Sequence, residues 1–183
     1  MDPVAELNGP ADLAAFPGII ADAALCAAWV YTPIGGMIAV CDDDALHLLE
    51  FPRRARLALQ MSRIGQVGLG RTRVTDHLQI ELTAYFAGKR PTFATPLALQ
   101  GTPFIQSVWA ALQAMPYGTT QTYATLATSL GRPTAARAAG RANGANPIAI
   151  LVPCHRLLGA QGALTGYAGG LWRKEWLVAH EAQ

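Results

Sequence analysis

The chain has 183 residues, 51% of them hydrophobic, enough for one large domain or two small ones with a real core. Its formal charge of +2 rules out a polyanionic or strongly polybasic chain, and no run approaches the roughly 20 uncharged apolar residues of a membrane span. Cys26, Cys41 and Cys154 are odd in number and scattered, which excludes a disulfide framework.

An acidic start, Met1-Asp2-Pro3-Val4-Ala5-Glu6, is unlike the basic start of a secretory signal. Together with the cysteine usage it makes a reducing cytoplasm the expected location. Residues 1–24 are rich in Ala, Pro and Gly and form an extension of uncertain order. Residues 25–101 are expected to make an N-terminal α/β domain. There, Trp29 to Gly36 and Met37 to Cys41 suggest two strands joined by a Pro/Gly turn. Asp42-Asp43-Asp44 turns into a third strand from Ala45 to Phe51, so three strands in a row predict an antiparallel meander. The segment from Arg53 to Arg73 defaults to a flexible loop; Gly65, Gly68 and Gly70 lack the context and the lysine of a phosphate loop. Thr75-Asp76 caps a helix to Phe86 with Leu78, Leu82, Tyr85 and Phe86 on one face, and Gly88 stops it. Pro91 to Gly101 reads as a crossover between domains.

The C-terminal domain, 102–183, opens with Thr102-Pro103, a capping residue followed by Pro at the first helical position. Ile105, Val108, Trp109 and Leu112 give its core stripe. After Pro116-Tyr117-Gly118, Thr122 caps a short helix through Leu130. Gly131 ends it and Pro133 restarts the chain, which is helix-turn-helix spacing. The next helix carries Thr134, Ala135, Ala136, Arg137, Ala138, Ala139, Gly140 and Arg141. Nearly bare apart from its arginines, it suits a narrow minor groove with Arg137 entering the base stack, or else close packing on a neighbour. The charge distribution suits a polyanion partner or, equally, a neutral Ala/Gly-rich surface with ordinary arginines. Residues 1–103 hold ten acids and eight bases, residues 104–183 two acids and six bases, and no carboxylate lies between Glu81 and Glu175.

The apolar run Ile148-Ala149-Ile150-Leu151-Val152 lies between Pro147 and Pro153. It predicts a short buried strand from which Cys154 and His155 leave the core together, followed by the cationic Arg156. Cys154 is then either a small core hydrophobe or a thiolate nucleophile favoured by an adjacent imidazole and guanidinium. A glycine-rich loop, 157–170, presents backbone groups and Tyr167 to a planar ligand, and Leu171 to Glu181 closes the chain as a helix with Leu177 and Val178 inward.

Asn146-Pro147, Pro153-Cys154-His155-Arg156, Gly166-Tyr167-Ala168-Gly169-Gly170 and Lys174-Glu175-Trp176-Leu177 with Glu181 resemble the O6-alkylguanine-DNA alkyltransferases. Pro116-Tyr117-Gly118, Tyr123, Ala135-Ala136-Arg137-Ala138 and Gly140 fit that family in order and spacing, so the close match covers about residues 102–181. The resemblance implies an α+β fold. A small three-stranded antiparallel, RNase H-like sheet with a helix precedes a helical, winged helix-turn-helix domain that carries the active site. It implies direct-reversal repair: one irreversible transfer of an alkyl group from O6 of guanine, and less readily from O4 of thymine, in duplex DNA. Cys154 would be the acceptor, His155 its base through a water, Glu181 the orienter of the imidazole and Asn146 the hinge under the site. Tyr123 would donate to N3 of the flipped base. Thr134, Ala135, Ala136, Ala138, Gly140 and Arg141 would line the minor groove while Arg137 fills the stack. Backbone groups of Cys154, Leu157 and Ala168 would hydrogen-bond the guanine, Gly169 and Arg156 would belong to the same pocket, and Tyr167 would form its wall.

No cofactor is implied. Some relatives hold zinc in the N-terminal part, but the spacing of Cys26, Cys41, His47 and His77 does not reproduce that set, so no metal is expected. Ala149 and Thr165 stand where some relatives have Pro and Gly, which leaves tolerance of bulky alkyl groups open. The expected partner is alkylated double-stranded DNA, met by a monomer that can assemble cooperatively along it, on a bacterial nucleoid or in a eukaryotic nucleus. A lesion-binding relative without transfer activity, a regulatory helix-turn-helix protein and a cysteine hydrolase are the competing classes. The presence of Cys154 speaks against the first, and the lack of a second DNA-binding region in residues 1–103 against the second. Turnover without DNA would mark the third.

Overall fold

A computed structural model describes residues 9–14, 19–21, 23–52, 57–89 and 92–183. The chain forms two compact units, Met1–Ala98 and Leu99–Gln183.

In the first unit the three expected strands appear as β1 (Leu25–Val30), β2 (Met37–Cys41) and β3 (Leu46–Glu50). They pair antiparallel, with Ala28 opposite Ala39 and Ala39 opposite Leu49, and the register shifts between Val40 and Cys41. The turn between β1 and β2 needs glycine at Gly36, where a Cβ would sit inside the Trp29 ring. The sheet is larger than expected. A fourth strand, β4 (Val67–Leu69), pairs parallel to β1, giving the mixed order β3-β2-β1-β4. A parallel strand needs a crossover, and the segment expected as a flexible loop supplies it through helix α2 (Leu57–Ile64). Only Leu57 and Met61 of α2 are buried, a two-residue stripe too short to register as helical period, and β4 has a glycine at its centre. Tertiary pairing decides both.

Within the expected N-terminal extension, a short helix α1 (Pro10–Ala14) buries Leu13, and Ile19 bridges to Val67; residues 1–8, 15–18 and 22 of that extension lie outside the described residues. Leu13, Leu57 and Met61 join Ala27, Trp29, Ile38, Val40, Leu48 and Val67 in one core cluster. By strand alternation Ala28, Val30, Met37, Ala39 and Cys41 point to the opposite face. There they meet α3 (Arg73–Phe86), which buries Val74, Leu78, Leu82 and Tyr85. Its cap is Thr72, not Thr75. The Thr72 hydroxyl accepts from the Thr75 N–H, and the Thr75 side chain returns the bond to the Thr72 N–H. Two threonines three apart offer the same cap signal, and Arg73-Val74 simply continue the helix toward its N-terminus.

The second unit is mainly helical. The Thr102 hydroxyl caps α4 (Pro103–Gln113), and Val108, Trp109 and Leu112 are its buried face. Thr122 caps α5 (Tyr123–Ser129), Gly131 turns the chain at φ +70°, and a 3₁₀ turn at Pro133–Ala135 leads into α6 (Ala136–Gly144). α6 packs against both α4 and α5. Two short parallel strands, β5 (Gln121–Thr122) and β6 (Leu157–Leu158), tie the start of α5 to the chain after Cys154. Helix α7 (Leu171–Glu181) completes the unit. The fold is thus α+β, a small sheet domain followed by a helical one.

Candidate active site

The run before Cys154 is buried, but it is a turn and not the expected strand. Asn146 explains why. Its Oδ1 accepts from the Ile148 N–H at 2.9 Å and its Nδ2 donates to the Val152 carbonyl at 2.8 Å, closing the five-residue run on itself. Val152 N–H also donates to the Ile148 carbonyl, and Ile150 adopts φ +72°. A β-branched residue there costs about 1–3 kcal/mol and persists only where its surroundings fix it. The turn delivers Cys154, His155 and Arg156 as a 3₁₀ turn against α7. The imidazole does not leave the core: His155 is 0% exposed and Cys154 8%.

Beneath the thiol lies a buried charge network. His155 Nε2 is 2.8 Å from Glu181 Oε1. Arg156 donates from Nε to Glu181 Oε2 at 2.7 Å and from Nη2 to Oε1 at 3.1 Å, while its Nη1 donates to the Met115 carbonyl at 2.7 Å. Gly118 N–H donates to Glu181 Oε2, and a Cβ on Gly118 would stand 2.5 Å from the Glu181 carbonyl oxygen, so glycine is required there. Burial pushes the Glu181 carboxyl up, but its bonds and charge contacts with His155 and Arg156 outweigh that and hold it well below the usual carboxylate range. Burial pushes the His155 imidazole down, with Glu181 opposing. The ionised carboxylate can only accept, so Nε2 of the neutral ring carries the proton. Nδ1, buried and without a hydrogen-bond partner, keeps its lone pair.

Tyr123 stands at the first position of α5, half-buried, beside Thr165, Asn143 and Cys154. Burial pushes its hydroxyl pKa up, and Cys154 adds to the shift. Gly140 of α6 faces the Tyr123 ring, which a Cβ added at this glycine would meet at 3.7 Å. Leu157 is buried on β6, Tyr167 is half-buried, Ala168 is exposed and Gly169 is buried, its carbonyl accepting from Arg173. Arg156, expected at the pocket, is committed to Glu181 and Met115. Two residues to which the sequence reading gave no role complete the floor. Lys174, 0% exposed, donates from Nζ to the Thr165 carbonyl at 2.7 Å and to the Leu157 carbonyl, pinning the glycine-rich loop to β6. Its signal was present: Lys174, Leu177 and Glu181 share one buried face at i, i+3, i+7, while Val178, expected inward, is half-buried. Asn143, an apparently ordinary polar residue in an Ala-rich helix, donates from Nδ2 to the Cys154 carbonyl at 3.3 Å.

Helix α6 has two faces. Ala139, Ala142 and Asn143 are buried, and Trp109 Nε1 donates to the Ala142 carbonyl at 3.0 Å. Thr134, Arg137 and Arg141 are exposed, and Ala135, Ala136, Ala138 and Gly140 are half-buried beside them. The small side chains therefore serve close packing on one side and leave a low surface with two cations on the other. In the first unit, His47 Nε2 pairs with Asp42 at 2.7 Å and the Cys41 thiol faces Thr75 and Thr72. No group of three potential metal ligands occurs among the described residues, nor any helix long and apolar enough to cross a membrane.

Residues 103–183 match the family model of the 6-O-methylguanine DNA methyltransferase DNA-binding domain. A methylated-DNA–protein-cysteine methyltransferase of Salmonella typhimurium is 46% identical over 83% of this chain and 92% of its own length. That of Methanosarcina acetivorans is 42% identical over 82% and 94%. The crystal structure of Mycobacterium tuberculosis OGT in complex with DNA superposes with a TM-score of 0.75 at 41% identity, covering 84% of this chain and 91% of that one.

Proposed function

The chain belongs to the methylated-DNA–protein-cysteine methyltransferase family, and from that premise we propose how its residues carry out direct-reversal repair of DNA. The observation that carries the proposal is Cys154 seated directly on the His155–Glu181–Arg156 network, with a lone pair at His155 Nδ1.

His155 Nδ1 takes the thiol proton through a bridging water, and Glu181 stabilises the imidazolium that forms. The Cys154 thiolate attacks the alkyl carbon on O6 of an extruded guanine. A sulfur–carbon bond forms as the carbon–O6 bond breaks, and the electron pair leaves on the purine. Tyr123 donates its proton toward N3 and limits the developing charge. Extrusion costs a few kcal/mol of unstacking, which Arg137 offsets by filling the gap while Thr134, Ala135, Ala136, Ala138, Gly140 and Arg141 sit on the minor groove. Asn146 and Lys174 hold the turn and the loop; Leu157, Tyr167, Ala168 and Gly169 enclose the base. The product is a thioether that nothing in the chain removes, so each molecule acts once.

In this scheme residues 102–183 are the transfer and DNA-binding domain and 25–101 the N-terminal α/β domain. The protein is a monomer that assembles along DNA, in the cytoplasm on a nucleoid or in a nucleus. A Cys154→Ser protein is expected to bind duplex bearing O6-methylguanine and to leave its methyl in place; methyl transfer by that variant would overturn the assignment of the acceptor.

A further inference from the structure

The sheet unit holds two free thiols to which the transfer chemistry gives no role, Cys26 on β1 and Cys41 on β2. They stand directly opposite each other in the antiparallel register, which runs unbroken from Cys26–Cys41 to Val30–Met37. Opposed residues in such a ladder have Cα atoms about 4.5–5.5 Å apart and side chains on one face, inside the range of about 4.4–6.8 Å that a disulfide spans. Cys41 lies within electrostatic reach of Cys26, and the two sulfurs approach one short segment. The Cys41 thiol faces Thr72 and Thr75, and a Cβ added at Gly70, just upstream of Thr72, would meet Cys26 Sγ at 3.5 Å.

Access to the two differs. Cys41 is 0% exposed, whereas Cys26 is half-buried and lines a groove of about 580 Å³ with Ile20, Ala23, Gly68 and Leu69. A disulfide of tripeptide size reaches Cys26 from that groove and does not reach Cys41. Burial also pushes the Cys41 thiol up to about 11, which orders the steps: Cys26 reacts first and Cys41 resolves. We propose that Cys26 and Cys41 are a reversible redox pair, closed across β1 and β2 by a small-molecule disulfide of the glutathione class. The Cys26 thiolate attacks one sulfur of the oxidant, a mixed disulfide forms, and the other sulfur leaves and takes up the proton that Cys26 lost. The Cys41 thiolate then attacks Cys26 Sγ, and the second small thiol leaves in the same way. Two protein thiols lose two electrons, one small disulfide becomes two thiols, and excess thiol reverses both steps. In a reducing compartment the pair stays open, and an oxidising shift closes it, as befits a sensing bond and not a structural one. Neither step involves Cys154.

Cleavage after Lys and Arg leaves both cysteines in the single peptide 1–53, so peptide mass spectrometry reads the bond directly. The full chain is equilibrated with excess oxidised glutathione and about 1 mM of the reduced form, the millimolar scale of a flexible tether. It is then denatured in N-ethylmaleimide, which blocks every free thiol. Wild-type peptide 1–53 should carry no maleimide and weigh two hydrogens less than the dithiol. This closed form should exceed glutathionylated Cys26 by about tenfold or more, because a thiol held opposite in register acts well above that scale. Dithiothreitol should return both thiols. C41S, and equally C41A, should stop with one glutathione on Cys26, while C26S should leave Cys41 labelled by maleimide. In concentrated urea the excess of closed over mixed form should fall to within about twofold of unity, since only the tether remains. Two labelled cysteines in the wild type, or an arrest at glutathionylated Cys26 as in C41S, would overturn the pair. So would a bond joining two chains, or an excess that urea leaves unchanged. Each of these outcomes is read without DNA, and failure of methyl transfer to Cys154 would alter none of them.

Discussion

Both units bury carboxylates, and they do so differently. In the sheet unit, Glu81 on α3 accepts from the Thr95 hydroxyl at 2.6 Å and from the Ala94 and Thr95 N–H groups, and the exposed His77 imidazole lies 3.2 Å away at the helix surface. In the helical unit, Glu181 faces a guanidinium and an imidazole. Lone pairs without partners differ as well. That of His155 Nδ1 sits on a fully buried residue beside Cys154, whereas Gln60 Oε1 of the sheet unit belongs to a half-buried residue of α2. Polar groups that are buried and satisfied build architecture; those buried and left open mark where something else binds or reacts.

Removing each carboxylate should expose the contrast most strongly. Glu181→Ala leaves Arg156 and His155 buried without their partner, and about 3–5 kcal/mol of unfolding free energy is expected to be lost. Glu81→Ala strands neutral donors and releases His77, which is exposed and can meet water instead, so it is expected to cost about 2 kcal/mol. Denaturant unfolding of the two variants checks the order, and equal losses would erase the distinction.

The two units should also fail at opposite ends of the pH scale. Glu181 and His155 have folded-state pKa values below their unfolded ones. Their stabilisation is complete above the ordinary histidine value of 6.5 and is lost as pH falls. Cys41 is the reverse: burial pushes its thiol from 9.0 up to about 11, so its contribution is present below pH 9 and is lost as pH rises toward 11. Each titrating group contributes a slope of up to about 1.4 kcal/mol per pH unit. Hydrogen exchange between pH 5 and 10, corrected for intrinsic rates, should show acid loosening the helical unit first and alkali the sheet unit first. The opposite order would contradict the assignment of these groups.

On the outer face of α6 the effect is confined to DNA. Arg137→Ala is expected to slow transfer from duplex by about tenfold or more, the scale of a few kcal/mol of unstacking left without compensation. Reaction with free O6-alkylguanine base should change little, and equal losses would remove Arg137 from the stack. Smallest of all, Cys26→Ser in the sheet unit should shift stability by under about 1 kcal/mol and leave the transfer rate unchanged, as a stopped-flow assay would show.

Much of this was legible in the chain. β1 to β3 are mostly apolar runs between turn residues, α4 to α6 are marked by Thr102, Thr122, Gly131 and Pro133, and α3, α4, α5 and α7 show apolar periodicity. α2 and β4 were not legible, since two buried residues and a glycine-centred tripeptide carry no period of their own. Cys154 and His155 are neighbours in the chain and could be seen together. Arg156 and Glu181 are 25 residues apart, and nothing local tells that guanidinium from one facing solvent. The turn at Ile150 was hidden for the same reason: Asn146, not the apolar residues, dictates its shape.

Methyl transfer to one named sulfur is the claim on which the comparison rests, and peptide mass spectrometry after incubation with duplex DNA containing O6-methylguanine measures it directly. The peptide holding Cys154 should gain one methyl group, once per molecule, while those holding Cys26 and Cys41 stay unchanged. A repaired oligonucleotide alongside an unmodified Cys154, or many lesions repaired by each protein molecule, would contradict it.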